Sequence, residues 1–152
     1  MQIWEKARAC KILTGPEITG GFNVGFDPEV PEDTRDALMD FIYWVEDHYA
    51  LPVTLWVDIK FRHYLRKQNR QRAAYLFYWV EFQNYPHFEN PDDIPVIELP
   101  VRLERNSLED ILLALTQGIT DYFHWLSGND PAATPWNPLE AKALLSAYSS
   151  NR

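Results

Sequence analysis

The sequence predicts an α+β fold in which a small β-sheet packs against two long helices and a C-terminal helix follows. Residues 31–49 and 107–128 repeat apolar side chains at helical spacing, and three shorter stretches rich in β-branched and aromatic residues lie between them. This order lacks the regular alternation of strand and helix that is typical of a parallel doubly wound sheet. A chain of 152 residues is long enough for one domain with its own core. We therefore expect one domain over 1–152, with an irregular segment at 1–30 and a folded core at 31–152.

Glycine sets the N-terminal segment apart from the rest of the chain. Four of the six glycines, Gly15, Gly20, Gly21 and Gly25, interrupt short apolar pieces there. Glycine at this density favours turns and irregular structure. We predict one short hairpin around 22–26 and no other regular element in this segment.

The first helix is predicted over 31–49, because apolar residues recur at i, i+3, i+4, i+7 and i+11 and acids crowd its first turn. These apolar residues are Leu38, Phe41, Ile42, Val45 and Tyr49. Three strands are predicted after it, each bounded by turn or polar residues. They run over 53–59, 74–82 and 94–101.

The central helix is predicted over 107–128. Ser107 and Asp110 have the spacing of a capping box, and Gly128 can end the helix. The helix carries no charge between Ile111 and Thr120, which is typical of a helix buried at the centre of a domain. A last helix is predicted from Asn137 onward, with proline at its first position and a glutamate at the capping-box position.

A narrow polar stripe runs along one side of the central helix. It consists of Asp110, Gln117, Asp121 and His124, which fall on one face at about 100° per residue. The surrounding phrase is Ile-Leu-Leu-Ala-Leu-Thr-Gln-Gly-Ile-Thr-Asp-Tyr-Phe-His-Trp-Leu. It resembles the active-site helix of small bacterial zincin-like proteins, in which the pattern is similar to Leu-Ala-His-Glu-Leu-Thr-His-Tyr-Phe-Gln-Trp. The resemblance implies a minimal zincin-like domain.

On this alignment the residues that carry the chemistry of the family are replaced. Gln117 and Asp121 stand where the two histidines would bind zinc, and Gly118 stands where the glutamate would act as general base. An amide oxygen is a poor zinc ligand, and a carboxylate prefers harder cations. We therefore expect no catalytic residue and no bound zinc or other cofactor. Gly118 is explained either by a close packing contact or by a vacated general-base position.

Glu140 occupies the place of the third metal ligand of the family, on the helix that follows. It has two interpretations, a degenerate ligand position beside Gln117 and Asp121 or a capping residue of its own helix. His124 likewise is either a displaced imidazole ligand or a partly exposed histidine. If the carboxylates converged, a hard cation could bind weakly.

These observations favour a non-catalytic zincin-like protein, a pseudo-metallopeptidase that binds a protein or peptide partner. The alternative is a metal-dependent hydrolase that uses Asp121, Glu140 and His124 as non-standard ligands. The oligomeric state does not follow from the sequence.

A basic block follows the first predicted strand, and no acid interrupts it. Its members are Lys60, Arg62, Arg66, Lys67, Arg70 and Arg72. Because aromatic residues are interleaved, the block could bind phosphate or RNA. The alternative is a solvated connection between two strands whose arginines pair with acids. A net charge of −8 argues against attraction to nucleic acid as a whole.

Composition sets the remaining expectations. A single cysteine, Cys10, rules out an internal disulfide framework and fits a reducing compartment. No apolar run approaches the roughly 18 residues of a membrane span, and the N-terminus lacks a signal-peptide core. We expect a soluble cytoplasmic protein with no membrane contact.

Overall fold

The central helix packs against the sheet and also contacts the last helix. The computed structural model describes residues 21–49, 51, 54–61, 71–73, 76–81, 95–101, 106–126 and 138–150. The helices in this part of the chain are α1 (Glu32–His48), α2 (Leu108–Leu126) and α3 (Pro138–Ser150). The strands are β1 (Phe22–Phe26), β2 (Leu55–Phe61), β3 (Gln71–Ala73), β4 (Leu76–Glu81) and β5 (Val96–Val101).

The five strands form one mixed sheet in the order β1-β2-β5-β4-β3. Strands β1, β2 and β5 are parallel, whereas β4 runs antiparallel to both β5 and β3. The chain passes from β1 through α1 to the neighbouring β2, as a parallel pair requires a long crossover. Strands β3 and β4 form a hairpin at the opposite end of the sheet.

One face of the sheet carries the core. Val57 lies beside Ile97 and Ile59 beside Leu99 in the register of β2 and β5, and all four side chains are fully buried. Trp56 alternates with them and is 39% exposed. Because successive side chains of a strand point to opposite faces, this alternation gives the sheet one apolar and one more accessible face.

All three helices contribute to the same hydrophobic cluster. The ring of Tyr148 on α3 meets the ring of Phe41 on α1 edge to face, with centroids 5.0 Å apart. Tyr49 follows α1 and lies 5.9 Å from Phe123 on α2, again between ring centroids. The central position of α2 explains why its middle carries no charge, since an ionised side chain there would be costly to bury.

The capping box predicted for α2 is present. The Asp110 backbone N–H donates to Ser107 Oγ over 3.1 Å, and the Ser107 backbone N–H donates to Asp110 Oδ2 over 3.2 Å. Two N–H groups that have no partner within the helix are therefore satisfied at its start. The carboxylate of Asp110 is therefore used in this cap.

The predicted α+β fold, a small sheet with two long helices and a C-terminal helix, is confirmed. The predicted hairpin around 22–26 is wrong, because this segment is one strand that pairs in parallel with β2. The short strand β3 was not predicted. The expectations for 1–20, Gly128 and Asn137 concern residues outside the described ones.

Within the part of the chain described here, no helix is long and apolar enough to cross a membrane.

Candidate functional site

Two residues of the polar stripe, Gln117 and Asp121, lie buried where α2 faces β4. Tyr78 Oη donates to Asp121 Oδ2 over 2.6 Å, and Gln117 Nε2 donates to Asp121 Oδ1 over 3.4 Å. The register of the sheet explains how Tyr78 reaches the helix. Val80 pairs with Ile97, so Tyr78, two residues away on the same strand, shares the apolar face that α2 covers.

Burial determines the electrostatics of this contact. It raises the pKa of Asp121 from 3.8 to about 6, although hydrogen bonds from Tyr78 and Gln117 act in the opposite direction. The positive charge of His124 also lowers this pKa, and the negative charge of Glu140 raises it. Burial and the neighbouring Asp121 carboxylate raise the pKa of Tyr78, so its hydroxyl remains a donor.

His124 and Glu140 complete the group from the solvent side. His124 Nε2 and Glu140 Oε2 are 2.7 Å apart, which joins α2 to α3. The side chain of His124 is 19% exposed and that of Glu140 is 33% exposed. Since both charges act on Asp121, we treat Tyr78, Gln117, Asp121, His124 and Glu140 as one polar cluster.

One atom of the polar cluster lacks a partner within the described residues. Gln117 Oε1 is buried and accepts no hydrogen bond, and the whole residue is 5% exposed. The hydroxyls of the neighbouring threonines are both occupied, because Thr116 donates to the Leu112 carbonyl and Thr120 to the Gln117 carbonyl. The cluster therefore has a buried acceptor to which no donor in the described part of the chain is directed.

Gly118, the position aligned with the general base of zincins, packs against the sheet. A Cβ atom on this residue would lie 2.8 Å from Ile97 Cδ1 and 3.2 Å from its Cγ1 and Cγ2 atoms. Ile97 is fully buried and cannot move into solvent. Close packing of helix on sheet thus accounts for a glycine here, although glycine costs about 1 kcal/mol relative to alanine in a helix interior.

Of the predicted ligand positions, Gln117 and Asp121 are hydrogen-bonded to each other, whereas Glu140 binds His124 and acts on Asp121 only through its charge. Both oxygens of Asp121 accept internal hydrogen bonds, and Glu140 is paired with His124. The described residues contain no group of three or more His, Cys, Asp or Glu side chains that could hold a metal ion. Two hydrogen-bonded contacts thus join the elements: Tyr78 and Asp121 join β4 to α2, and His124 and Glu140 join α2 to α3.

The basic block is described only at its two ends. Lys60 is half-buried on β2, and the backbone of Arg72 belongs to β3. Both described ends of the block therefore lie in strands. Arg62, Arg66, Lys67 and Arg70 lie outside the described residues, as does the side chain of Arg72. Phosphate or RNA binding by the block stays a prediction.

Tyr78 is the member of the polar cluster that the sequence did not predict. Its strand was predicted, and alternation along that strand places it on the buried face. A buried tyrosine hydroxyl usually finds a hydrogen-bond partner, which is the one signal available. The identity of that partner, 43 residues away, depends on how α2 crosses the sheet.

No family model matches the chain, and neither a curated protein nor a solved structure matches it.

Proposed function

We propose that this protein is a non-catalytic, zincin-like binding protein, a pseudo-metallopeptidase that holds an extended peptide segment of a partner protein. One observation supports the proposal: the side chains at the degenerate ligand positions are hydrogen-bonded to other side chains of the protein. Asp121 accepts hydrogen bonds from Tyr78 and Gln117, and Glu140 pairs with His124. A metal-dependent hydrolase would need these groups to be directed at a cation and a water molecule.

The position aligned with the general base supports the same conclusion. A general base must reach the proton that it removes, directly or through one water molecule. Residue 118 faces the buried side chain of Ile97, and a Cβ atom there would lie only 2.8 Å from Ile97 Cδ1. Asp121, about one turn further along the helix, is 9% exposed and held by two donors, which suits a structural role better than proton transfer.

The sheet offers a place for an extended ligand beside the polar cluster. Strand β3 is at the end of the sheet and, among the described residues, pairs only with β4. Strand β4 carries Tyr78, so this edge is the one nearer the polar cluster, and β1 forms the opposite edge. An edge strand presents unpaired N–H and C=O groups to which a peptide can add as a further strand.

The test is binding of a displayed library of random dodecamer peptides to the purified protein, followed by measurement of affinity for the selected peptides. Proline is introduced separately at Gln71 and Arg72, because alternate residues of an antiparallel strand direct their N–H groups away from the neighbouring strand. The variant that keeps the wild-type melting temperature lacks one N–H on the free edge and is the one assayed. Alanine at the same position is its matched control.

We expect selected peptides to bind the wild type and the alanine variant alike, and the proline variant at least tenfold more weakly. Mass spectrometry of the recovered peptides should show no cleavage. Equal binding by the proline variant would overturn the edge-strand site, and cleaved peptides would overturn the non-catalytic assignment.

A further inference from the structure

The polar cluster has more hydrogen-bond acceptors than the donors of the described residues fill. Gln117 Oε1 is buried without a donor among the described residues. The amide orientation is fixed by its neighbour, because exchanging oxygen and nitrogen would bring Gln117 Oε1 against the Asp121 carboxylate. An acceptor left unpaired in the interior destabilises the folded state, because it has lost its hydrogen bonds to water. A ligand that brings a donor to this atom would offset that loss.

Charge in the polar cluster favours a cationic donor. Two carboxylates, those of Asp121 and Glu140, act on one another, and His124 is the one described basic side chain whose charge acts on Asp121. A neutral donor such as a water molecule would satisfy Gln117 Oε1 but would not offset the carboxylates. A cation would do both, and electrostatic attraction is stronger where water is largely excluded.

The residues of the polar cluster differ in exposure. The side chains of Glu140 and His124 are 33% and 19% exposed, whereas Asp121 and Gln117 as whole residues are 9% and 5% exposed. Glu140 therefore lies at the outer end of the cluster and Gln117 at its inner end. A ligand that reaches Gln117 from the side of Glu140 needs a charged head on a slender apolar stem.

From these observations we infer that the polar cluster binds a primary ammonium group of the bound peptide, through Gln117 Oε1, the Asp121 carboxylate and the Glu140 carboxylate. A carboxylate has about four lone-pair sites, so each can accept from an ammonium and keep its present hydrogen bonds, whereas a metal ion would need the same oxygens as ligands. An ammonium offers three donors that can be directed at three separate side chains. A guanidinium offers a planar fork that matches a single carboxylate. The inference rests on the proposed peptide binding and specifies which peptides bind.

Two sources can supply the group, a lysine side chain or the amino terminus of the peptide. The experiment uses synthetic pools of random octapeptides with one fixed central residue, which is lysine, arginine or norleucine, all acetylated at the amino terminus. A fourth pool has central norleucine and a free amino terminus. Norleucine keeps an apolar stem and lacks the charge, so affinity differences between pools report the ammonium.

We expect the lysine pool or the free-terminus pool to bind wild-type protein at least tenfold more tightly than the acetylated norleucine pool, with arginine between them. The pool that shows the gain identifies the source. Gln117→Leu and Glu140→Gln should each reduce the preference at least threefold. Glu109→Gln is the matched control, because it removes one negative charge from an exposed position in the first turn of α2.

Equal affinities for all four pools would overturn the ammonium site and leave the proposed peptide binding in place. Failure of every pool to bind would overturn both. If Gln117→Leu did not fold, Glu140→Gln would still decide the matter, because Glu140 lies at the outer end of the polar cluster and is one-third exposed. An unchanged preference in Glu140→Gln would exclude this carboxylate from the site.

Discussion

Helix α2 meets its surroundings in two different ways within a single turn. At Gly118 it presses on the side chain of Ile97, so close that a methyl group would not fit. At Asp121 it meets Tyr78 through a hydrogen bond inside a network of polar groups. The first contact depends on the space available between Gly118 and Ile97. The second depends on which hydrogen-bond donors and charged groups surround Asp121. The two contacts should therefore respond to different substitutions and to different solution conditions.

The largest expected effect comes from placing a glutamate at residue 118, where the helix packs against Ile97. Gly118→Glu would force a carboxylate against fully buried Ile97 and should cost more than about 4 kcal/mol, through overpacking and an unpaired buried charge. Urea denaturation followed by circular dichroism measures the loss.

Combining Gly118→Ala with Ile97→Val tests whether the contact with Ile97 causes the loss of stability. Valine lacks the Cδ1 atom that is nearest to residue 118. The two changes should be less destabilising together than the sum of the single variants. A stable Gly118→Glu protein would contradict the packing described for this helix.

The next effect belongs to the polar contact and depends on pH. The pKa of Asp121 is about 6 in the folded protein, against an ordinary value of 3.8, so the native state binds the proton more tightly than the unfolded state does. This residue's contribution to stability is complete below pH 3.8 and is lost as the pH rises through about 6. The difference amounts to up to about 3 kcal/mol.

Urea denaturation at several pH values between 4 and 8 measures this dependence. Asp121→Asn should remove this dependence, because asparagine does not titrate. The variant should still fold, since asparagine accepts from Tyr78 and, after rotation of the Gln117 amide, donates to Gln117 Oε1. Other groups titrate over the same range, so the difference between wild type and variant is the quantity to compare. Parallel pH profiles would contradict the assignment.

A smaller effect is expected when the donor of this contact is removed. Tyr78→Phe leaves Asp121 Oδ2 without its hydrogen bond and should cost about 1–3 kcal/mol, most of it above pH 6 where the carboxylate is ionised. Tyr148→Phe is a matched control, because Tyr148 donates to Asp40, whose carboxylate is exposed to water. Thermal denaturation should show a smaller shift for the control, and equal shifts would argue against a special role for burial.

The smallest effect concerns the start of α2, away from both contacts. Ser107→Ala removes the oxygen that accepts from the Asp110 N–H and should cost about 1 kcal/mol. Ser149→Ala, which removes an exposed hydroxyl bonded to the Leu145 carbonyl, should change stability by less than about 0.5 kcal/mol. Chemical denaturation of both variants compares them, and the prediction fails if Ser149→Ala costs as much as Ser107→Ala.

Patterns within the sequence determined the elements that depend on nearby residues. The helical spacing of apolar side chains placed α1 and α2 to within about two residues at each described end, and Ser107 with Asp110 marked the start of α2. Stretches rich in β-branched and aromatic residues, bounded by turn or polar residues, predicted β2, β4 and β5. The polar stripe was also correct in placing Gln117 and Asp121 on one side of the helix, because helical periodicity is a local property.

Only the tertiary structure decided which of these elements meet. Strand β1 pairs in parallel with β2 rather than forming a hairpin, since the crossover through α1, and not the glycines of that segment, sets its partner. Tyr78 joins Asp121, and Gly118 meets Ile97, because of the way in which α2 crosses β4 and β5. Spacing along a chain fixes which face of an element is apolar. The residue that lies opposite depends on topology and crossing geometry, which bring distant segments together through the burial of their apolar faces.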